Sequence, residues 1–209
     1  NVMASETHVF TPSFLNEVRL GFNRVAFSVF QEGQGAIRNS QVGLPETWTN
    51  SRAQGLSFLS LPGLSPLGYE YNSPQSSVTN TYQIVDQASY QAGRHAIKFG
   101  GDIRVLQQNA FRDIQARGML TFLGITGSPV ADVLFGIPTV TGFASVDNHQ
   151  NLRSESYSLF LHDNIRLTPN LQLSAGVRYE VTSPGVDVRD RANLYDTGRG
   201  TLVQVGTNG

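Results

Sequence analysis

The residues of this sequence best equipped for catalysis are four histidines and a set of acids. His162 stands beside Asp163, a pairing from which an acid–base couple could be built. The segment around them alternates apolar and polar residues, however, and neighbours in a strand point to opposite faces. No serine in a Gly-x-Ser-x-Gly setting supplies a nucleophile either. His8, His95 and His149 are scattered without metal-ligand spacing. Asp187, Asp190 and Asp196 carry the oxygens that Ca2+ takes, but Arg189 and Arg191 are interleaved among them, which argues against a dedicated cation site. Gly100-Gly101 lacks the surroundings of a phosphate loop; within a strand such a pair relieves crowding or marks curvature. These residues lead us to expect no catalytic, cofactor-binding or metal site and no enzyme, and they leave substrate-binding residues unassigned.

The elements that carry them read as strands. In Leu15 to Phe27, Val18, Leu20 and Phe22 fall on one face and Glu17, Arg19, Gly21 and Asn23 on the other. Over His95 to Gln107 the faces are Ile97, Phe99, Ile103 and Val105 against Lys98, Gly100, Asp102 and Arg104. Leu171 to Val181 is cleaner still: Leu171, Leu173, Ala175, Val177, Tyr179 and Val181 alternate with Gln172, Ser174, Gly176, Arg178 and Glu180. A period of two means a strand with one apolar face.

Each of these strands follows another across a short turn. Val2 to Phe10 leads into Thr11-Pro12-Ser13, Val78 to Tyr90 into Gln91-Ala92-Gly93-Arg94, and Arg153 to Leu167 into Thr168-Pro169-Asn170. Pro and Gly set or permit the turn dihedrals, and the first and third turns are weak repeats of one another. The joining segments, Ser28 to Ser77, Gln108 to Leu152 and Thr182 onward, are long. Short turns at one end and long loops at the other are the pattern of outer-membrane barrels. The strands exceed the ~5–6 residues usual in soluble sheets and meet the ~9–11 needed to cross hydrocarbon at a tilt.

Composition agrees with this. Only 15% of the 209 residues are charged, against about 25% in ordinary globular chains. A net charge of −1 and a pI near 6.5 give no basic footprint for nucleic acid. There is no Cys, hence no disulfide framework and no thiolate chemistry. No apolar run approaches the ~18 residues of a membrane helix, and no basic segment followed by an apolar one opens the chain. The mean hydropathy of −0.19 does not separate a soluble chain from one that meets lipid along alternating strands.

In the first long loop, six glycines and four prolines between Gly33 and Pro74 predict little regular structure. The second holds Ser128 to Gly136, where Ser128 can cap, Pro129 suits the first helical position and Gly136 can end the turn, so a short helix is expected. Gly118 to Leu123 and Thr139 to Val146 are candidate extra strands.

Three runs are similar in order to the barrel of Oar-like TonB-dependent receptors: Arg94-His95-Ala96-Ile97-Lys98-Phe99-Gly100-Gly101-Asp102-Ile103-Arg104, Thr126 to Gly136, and Tyr157 to Tyr179 with Leu167-Thr168-Pro169-Asn170-Leu171 and Gly176-Val177-Arg178-Tyr179-Glu180. The resemblance covers nearly the whole chain and lies in the ordered series. It implies a bacterial outer-membrane location and a barrel of 22 strands around an N-terminal plug, driven through a TonB box by an energised inner-membrane complex. Neither plug nor TonB box is found here, so residues 1–209 are expected to be a fragment of one barrel domain. The fold expected is all-β: an antiparallel up-and-down meander, a partial transmembrane β-barrel with long extracellular loops and one short loop helix. The partners expected are outer-membrane lipid, the remaining strands and plug of the parent chain, and, from the resemblance, the TonB complex. A passive porin or adhesin barrel and a soluble β-sandwich binding module remain as alternatives.

Three detailed expectations follow. Val18, Leu20, Phe22, Ile97, Phe99, Leu173, Val177 and Tyr179 should share the lipid side, opposite Arg19, Lys98, Arg104, Arg178 and Glu180. Phe22, Phe27, Tyr82, Tyr90, Phe99, Tyr157 and Tyr179 should form interfacial girdles, with His95 at the periplasmic interface. Glu6, Asp86 and Asp163 each stand five residues before the first turn residue. A β-bulge should re-aim at least one of Asp86 and Asp163 away from lipid, and with the first turn closed symmetrically Glu6 should oppose Arg19.

Overall fold

A computed structural model describes residues 1–33, 35–48, 51–145 and 148–204. Among them run twelve strands: β1 (Val2–Thr11), β2 (Phe14–Val29), β3 (Phe58–Ser60), β4 (Gln75–Ala92), β5 (His95–Arg112), β6 (Met119–Thr121), β7 (Val140–Gly142), β8 (Gln150–Thr168), β9 (Leu171–Thr182), β10 (Val186–Asp187), β11 (Asn193–Asp196) and β12 (Thr201–Gln204). One α-helix, α1, spans Pro129–Phe135. The fold is the antiparallel meander expected. Its sheet runs β1-β2-β4-β5-β8, and β9 and β10 both pair with β8.

The alternating patterns fold as three hairpins, β1–β2, β4–β5 and β8–β9, whose register keeps Val18, Leu20 and Phe22 of β2 on one face and Leu159, Leu161 and Ile165 of β8 on one face. The first and third turns are built alike. Thr11 Oγ1 accepts from Ser13 N at 3.3 Å and Thr168 Oγ1 from Asn170 N at 3.4 Å, while Pro12 and Pro169 fix the turn dihedral. In each hairpin the register slips by one just before the turn, between Val9 and Thr11 and between Arg166 and Thr168. The turns also lie together: Gln91 N donates to Ser13 O at 2.8 Å, and Arg166 N to Arg94 O at 2.8 Å. The long connections accordingly leave from the opposite ends of the strands.

That one-residue slip corrects the expectation for Glu6. Symmetric closure would set Glu6 against Arg19, but the extra residue at Phe10 moves every pair by one, so Glu6 faces Val18 and Ser5 faces Arg19. Arg19 instead pairs along its own strand with Glu17 at 2.7 Å. The bulge re-aims neither of the other acids as expected. In β8 it lies between Asp163 and the turn, so pairing is regular from Ser156 to Arg166 and Asp163 stays in phase with Leu159, Leu161 and Ile165. Asp86 is held by Asn16, which shares its face with Val18 and Leu20.

The chain divides into two compact units. The first, Asn1–Val25, Val78–Asn109 and the described residues from Gln150 onward, contains most of the long sheet. Beyond β9 the chain steps out at Ser183 and returns to β8 as β10, then makes the small β11–β12 hairpin in a stretch expected to be loop.

The second unit, Ala26–Ser77 with Ala110–His149, is more ordered than its glycines and prolines predict. Two short 3-10 turns, Asn39–Val42 and Ser51–Ala53, precede β3, which pairs in parallel with β6, and β6 pairs antiparallel with β7. Leu59, Leu61 and Phe122 form its buried core, with Leu44, Leu120 and Val133 packed against them. Helix α1 has Pro129 in its first turn and ends on Gly136 in the left-handed region, φ 67°, as its sequence predicts. Ser128 occupies the cap position, but its hydroxyl makes no capping bond. Strands β6 and β7 fall within the two candidate segments; Val146, at the end of the second, lies outside the described residues.

Candidate functional sites on the sheet and in the long connections

The sheet's two faces differ in chemistry. Register places Val2, Ala4, Val18, Leu20 and Phe22 on one side of β1–β2, and Leu159, Leu161, Ile165, Leu173, Val177 and Tyr179 on one side of β8–β9. A Cβ added to Gly101, in phase with Ile97 and Phe99, would meet Leu159 Cδ2 at 3.0 Å, so β5 presents its apolar residues on this same face. The opposite face holds Arg19 with Glu17, Asp102 with Gln83 and Arg104, and Arg178 with Ser158 and Glu180.

Aromatic rings collect at two heights of the apolar face. Near the turns, Phe10 lies 4.4 Å from His8 and 5.3 Å from Phe14, and Phe14 lies 6.2 Å from Tyr90, centroid to centroid. Farther up, Phe22 and Tyr82 approach to 5.1 Å. Eight residues from Phe14 to Phe22 are roughly 27 Å of strand, or about 20 Å of height at a ~40° tilt, close to the ~25 Å apolar band of an outer-membrane barrel. Sequence alternation located Phe22, Tyr82 and Tyr90, but missed Phe10, which is the bulged residue itself, and Phe14, which stands one residue before the stretch read as a strand.

His162 and Asp163 do not form a couple. His162 Nε2 lies 3.2 Å from Asn164 Oδ1 and 3.3 Å from Ser174 Oγ on the polar face, and the Ser174 hydroxyl donates to Asn164. Asp163, on the apolar face, meets His95 Nδ1 of β5 at 2.6 Å. The other acid at this height is also matched from the next strand: Asn16 Nδ2 donates to Asp86 Oδ1 at 2.5 Å. Neither partner was legible beforehand, since both belong to a different hairpin from the acid they meet.

Of the loop acids, Asp187 and Asp196 are engaged by local donors. Asp187 receives Arg191 at 3.0 Å and the N–H groups of Asn151 and Arg189; the Arg191 bond, helped by those amides, holds its carboxyl well below the ordinary range against the opposing effect of burial. Asp196 binds Arg199 at 3.5 Å and Gly198 N at 2.8 Å. Among the described residues no three His, Cys, Asp or Glu converge as a metal site would require.

In the second unit Asp132 is completely buried and organises a loop. It accepts from the Thr126 hydroxyl at 2.6 Å and from the N–H groups of Gly124, Ile125 and Thr126 at 2.7–2.9 Å. The Thr126 hydroxyl, with those amides behind it, lowers its carboxyl below the usual range although burial pushes the other way. Asp113 is equally enclosed and meets Arg52 at 3.0 Å, whose guanidinium lies 4.4 Å above the Phe111 ring. Beside the core, a cavity of about 550 Å³ opens between the first 3-10 turn, β6, β7 and α1. No charged side chain lines it.

The sequence model of the outer membrane beta barrel domain family matches residues 1–209. The chain belongs to that family. It is a β-barrel protein of the bacterial outer membrane, so the apolar face is the lipid-facing surface and the polar face lines the lumen. No curated protein and no solved structure matches it. In a barrel, Asn16–Asp86 and His95–Asp163 are cross-strand pairs set in the lipid-facing surface near the turn-side aromatic band, where a partner close by lowers the cost of an ionisable group.

Proposed function

We propose that this chain is the barrel segment of a TonB-dependent receptor that captures and takes up a substrate, and that it acts by binding and transport and not by catalysis. The observation that carries this reading is the folding of the long connections. Residues 26–77 and 110–149 form a compact unit with its own core, a buried carboxylate that ties down a loop, and a cavity. A passive pore needs no such unit, whereas a receptor needs a rigid surface to hold its ligand. The ordered likeness to Oar-like receptors points the same way. The partners proposed are outer-membrane lipid, further strands of the parent chain beside β1 and β9, its plug, and the TonB complex.

Two measurements on the intact protein test the reading without knowledge of the substrate. In planar bilayers a plugged receptor should show no steady conductance, and it should be retained by the immobilised periplasmic domain of TonB. A permanently open pore that TonB does not retain would instead support the passive porin.

A further inference from the structure

We propose that the cavity in the second unit is a ligand site for a neutral, largely apolar small molecule carrying at most one hydrogen-bonding group. This rests on the receptor reading and names the chemistry of what the loops would hold. The cavity's volume of about 550 Å³ falls within the ~300–1,000 Å³ of small-molecule pockets. Its apolar walls come from both long connections: Val42, Leu44 and Leu59 from the first, Leu120, Val133 and Phe143 from the second.

The polar groups on the lining decide the ligand class. Asn39 Nδ2 donates to Pro45 O and Ser57 Oγ, both at 2.8 Å, and its Oδ1 accepts from Ser57 N at 2.7 Å. The hydroxyls of Ser57 and Thr47 each donate to Arg117 O at 2.5 Å. Those donors are spent on holding the wall together. Thr141 is the remaining polar side chain of the lining, and its hydroxyl has no partner among the described residues. A charged ligand would lose its hydration and gain no counter-charge, a cost no neighbouring group offsets. An aromatic or acyl group would bury its surface against the walls, and a hydroxyl or carbonyl on it could reach Thr141.

Trp48, next to lining residue Thr47, supplies a reporter. The intact protein in detergent micelles is titrated with naphthalene, 2-naphthol and naphthalene-2-sulfonate while tryptophan emission is followed, and Trp48→Phe defines the share due to that residue. Saturable 1:1 responses to naphthalene and 2-naphthol are expected, 2-naphthol binding about fivefold tighter, with the sulfonate at least tenfold weaker than naphthalene. Val133→Phe, which fills the cavity, should weaken both neutral probes about tenfold or more. Thr141→Val should keep naphthalene binding and abolish the preference for 2-naphthol, a readout that does not depend on tolerance of the larger side chain. A linear, non-saturating response equal to that of empty micelles, or binding indifferent to both substitutions, would overturn the site; a segment of the same barrel filling the cavity would give that result. TonB retention separates the two claims: a retained protein that ignores naphthalene loses the pocket alone, and a saturable pocket in an open, unretained pore loses the receptor alone.

Discussion

His95 and Asp163 meet across neighbouring strands, Nδ1 to Oδ2 at 2.6 Å, on the face that also carries Leu161 and Ile165. Removing one member leaves the other without its partner in a lipid-facing surface. His95→Ala should therefore destabilise the barrel by about 1–2 kcal/mol, the cost of stranding a partly enclosed acceptor. His95→Ala with Asp163→Leu should recover most of that loss, because replacing both partners by apolar groups is often neutral or stabilising. Guanidinium unfolding midpoints of the four proteins of this cycle check the coupling; simple additivity would mean the pair has no role.

Asp132 gives a prediction in pH. Its carboxyl is held lower in the folded chain than in the unfolded one, chiefly by the Thr126 hydroxyl. Such a group contributes stability above its unfolded pKa, near ~3.9, and that stability is lost as pH falls through the lowered folded value. Hydrogen-exchange protection at Gly124, Ile125 and Thr126 should be constant from neutral pH to about 4 and decline below it. Asp132→Asn turns an amide toward N–H donors in one of its orientations, so protection should already be low at neutral pH and change little with acid.

Gly100 gives a packing prediction. A Cβ there would sit 3.0 Å from Phe160 Cε1 and from Gln87 Cα, and closer still to the Asp86 carbonyl. The glycine lets β4 and the Phe160 ring approach β5, which is the relief of crowding its strand position implies. Gly100→Val should cost about 1–3 kcal/mol, read as a lower unfolding midpoint. Gly93→Asn, at φ 60° in a turn with nothing near its Cβ, should be tolerated.

The strand alternation, the three turns and helix α1 were legible because each is local: period two, a Thr-Pro turn, and a Pro at the start with a Gly at the end. The second unit's parallel β3–β6 pair was not, since it joins residues about sixty positions apart in segments too short to show a period. The same limit hid the partners of Asp86 and Asp163. The spacing of those acids from their turns is a sequence property, but Asn16 and His95 reach them only through the register between hairpins. The Glu6–Arg19 expectation failed on a single bulged residue at Phe10, because a one-residue slip changes every facing pair.

Topology predicts which ends of the strands face the cell exterior. Epitopes inserted at Pro12-Ser13, Gly93-Arg94 or Pro169-Asn170 should be hidden on intact cells and reached only after the outer membrane is permeabilised. An insertion at Gly63-Leu64, an exposed turn of the first long connection, should bind antibody on intact cells. Antibody binding at the short turns of intact cells would reverse the orientation.

The most direct test of the lipid-facing assignment uses the absence of cysteine. Single cysteines placed from Gln172 to Glu180 in the intact barrel, spin-labelled and reconstituted in lipid, report access to oxygen in the bilayer and to a water-soluble nickel complex. Leu173, Ala175, Val177 and Tyr179 should favour oxygen, and Gln172, Ser174, Arg178 and Glu180 the nickel complex, alternating with a period of two. Uniform access to nickel at all of these positions, or the opposite phase, would contradict the account.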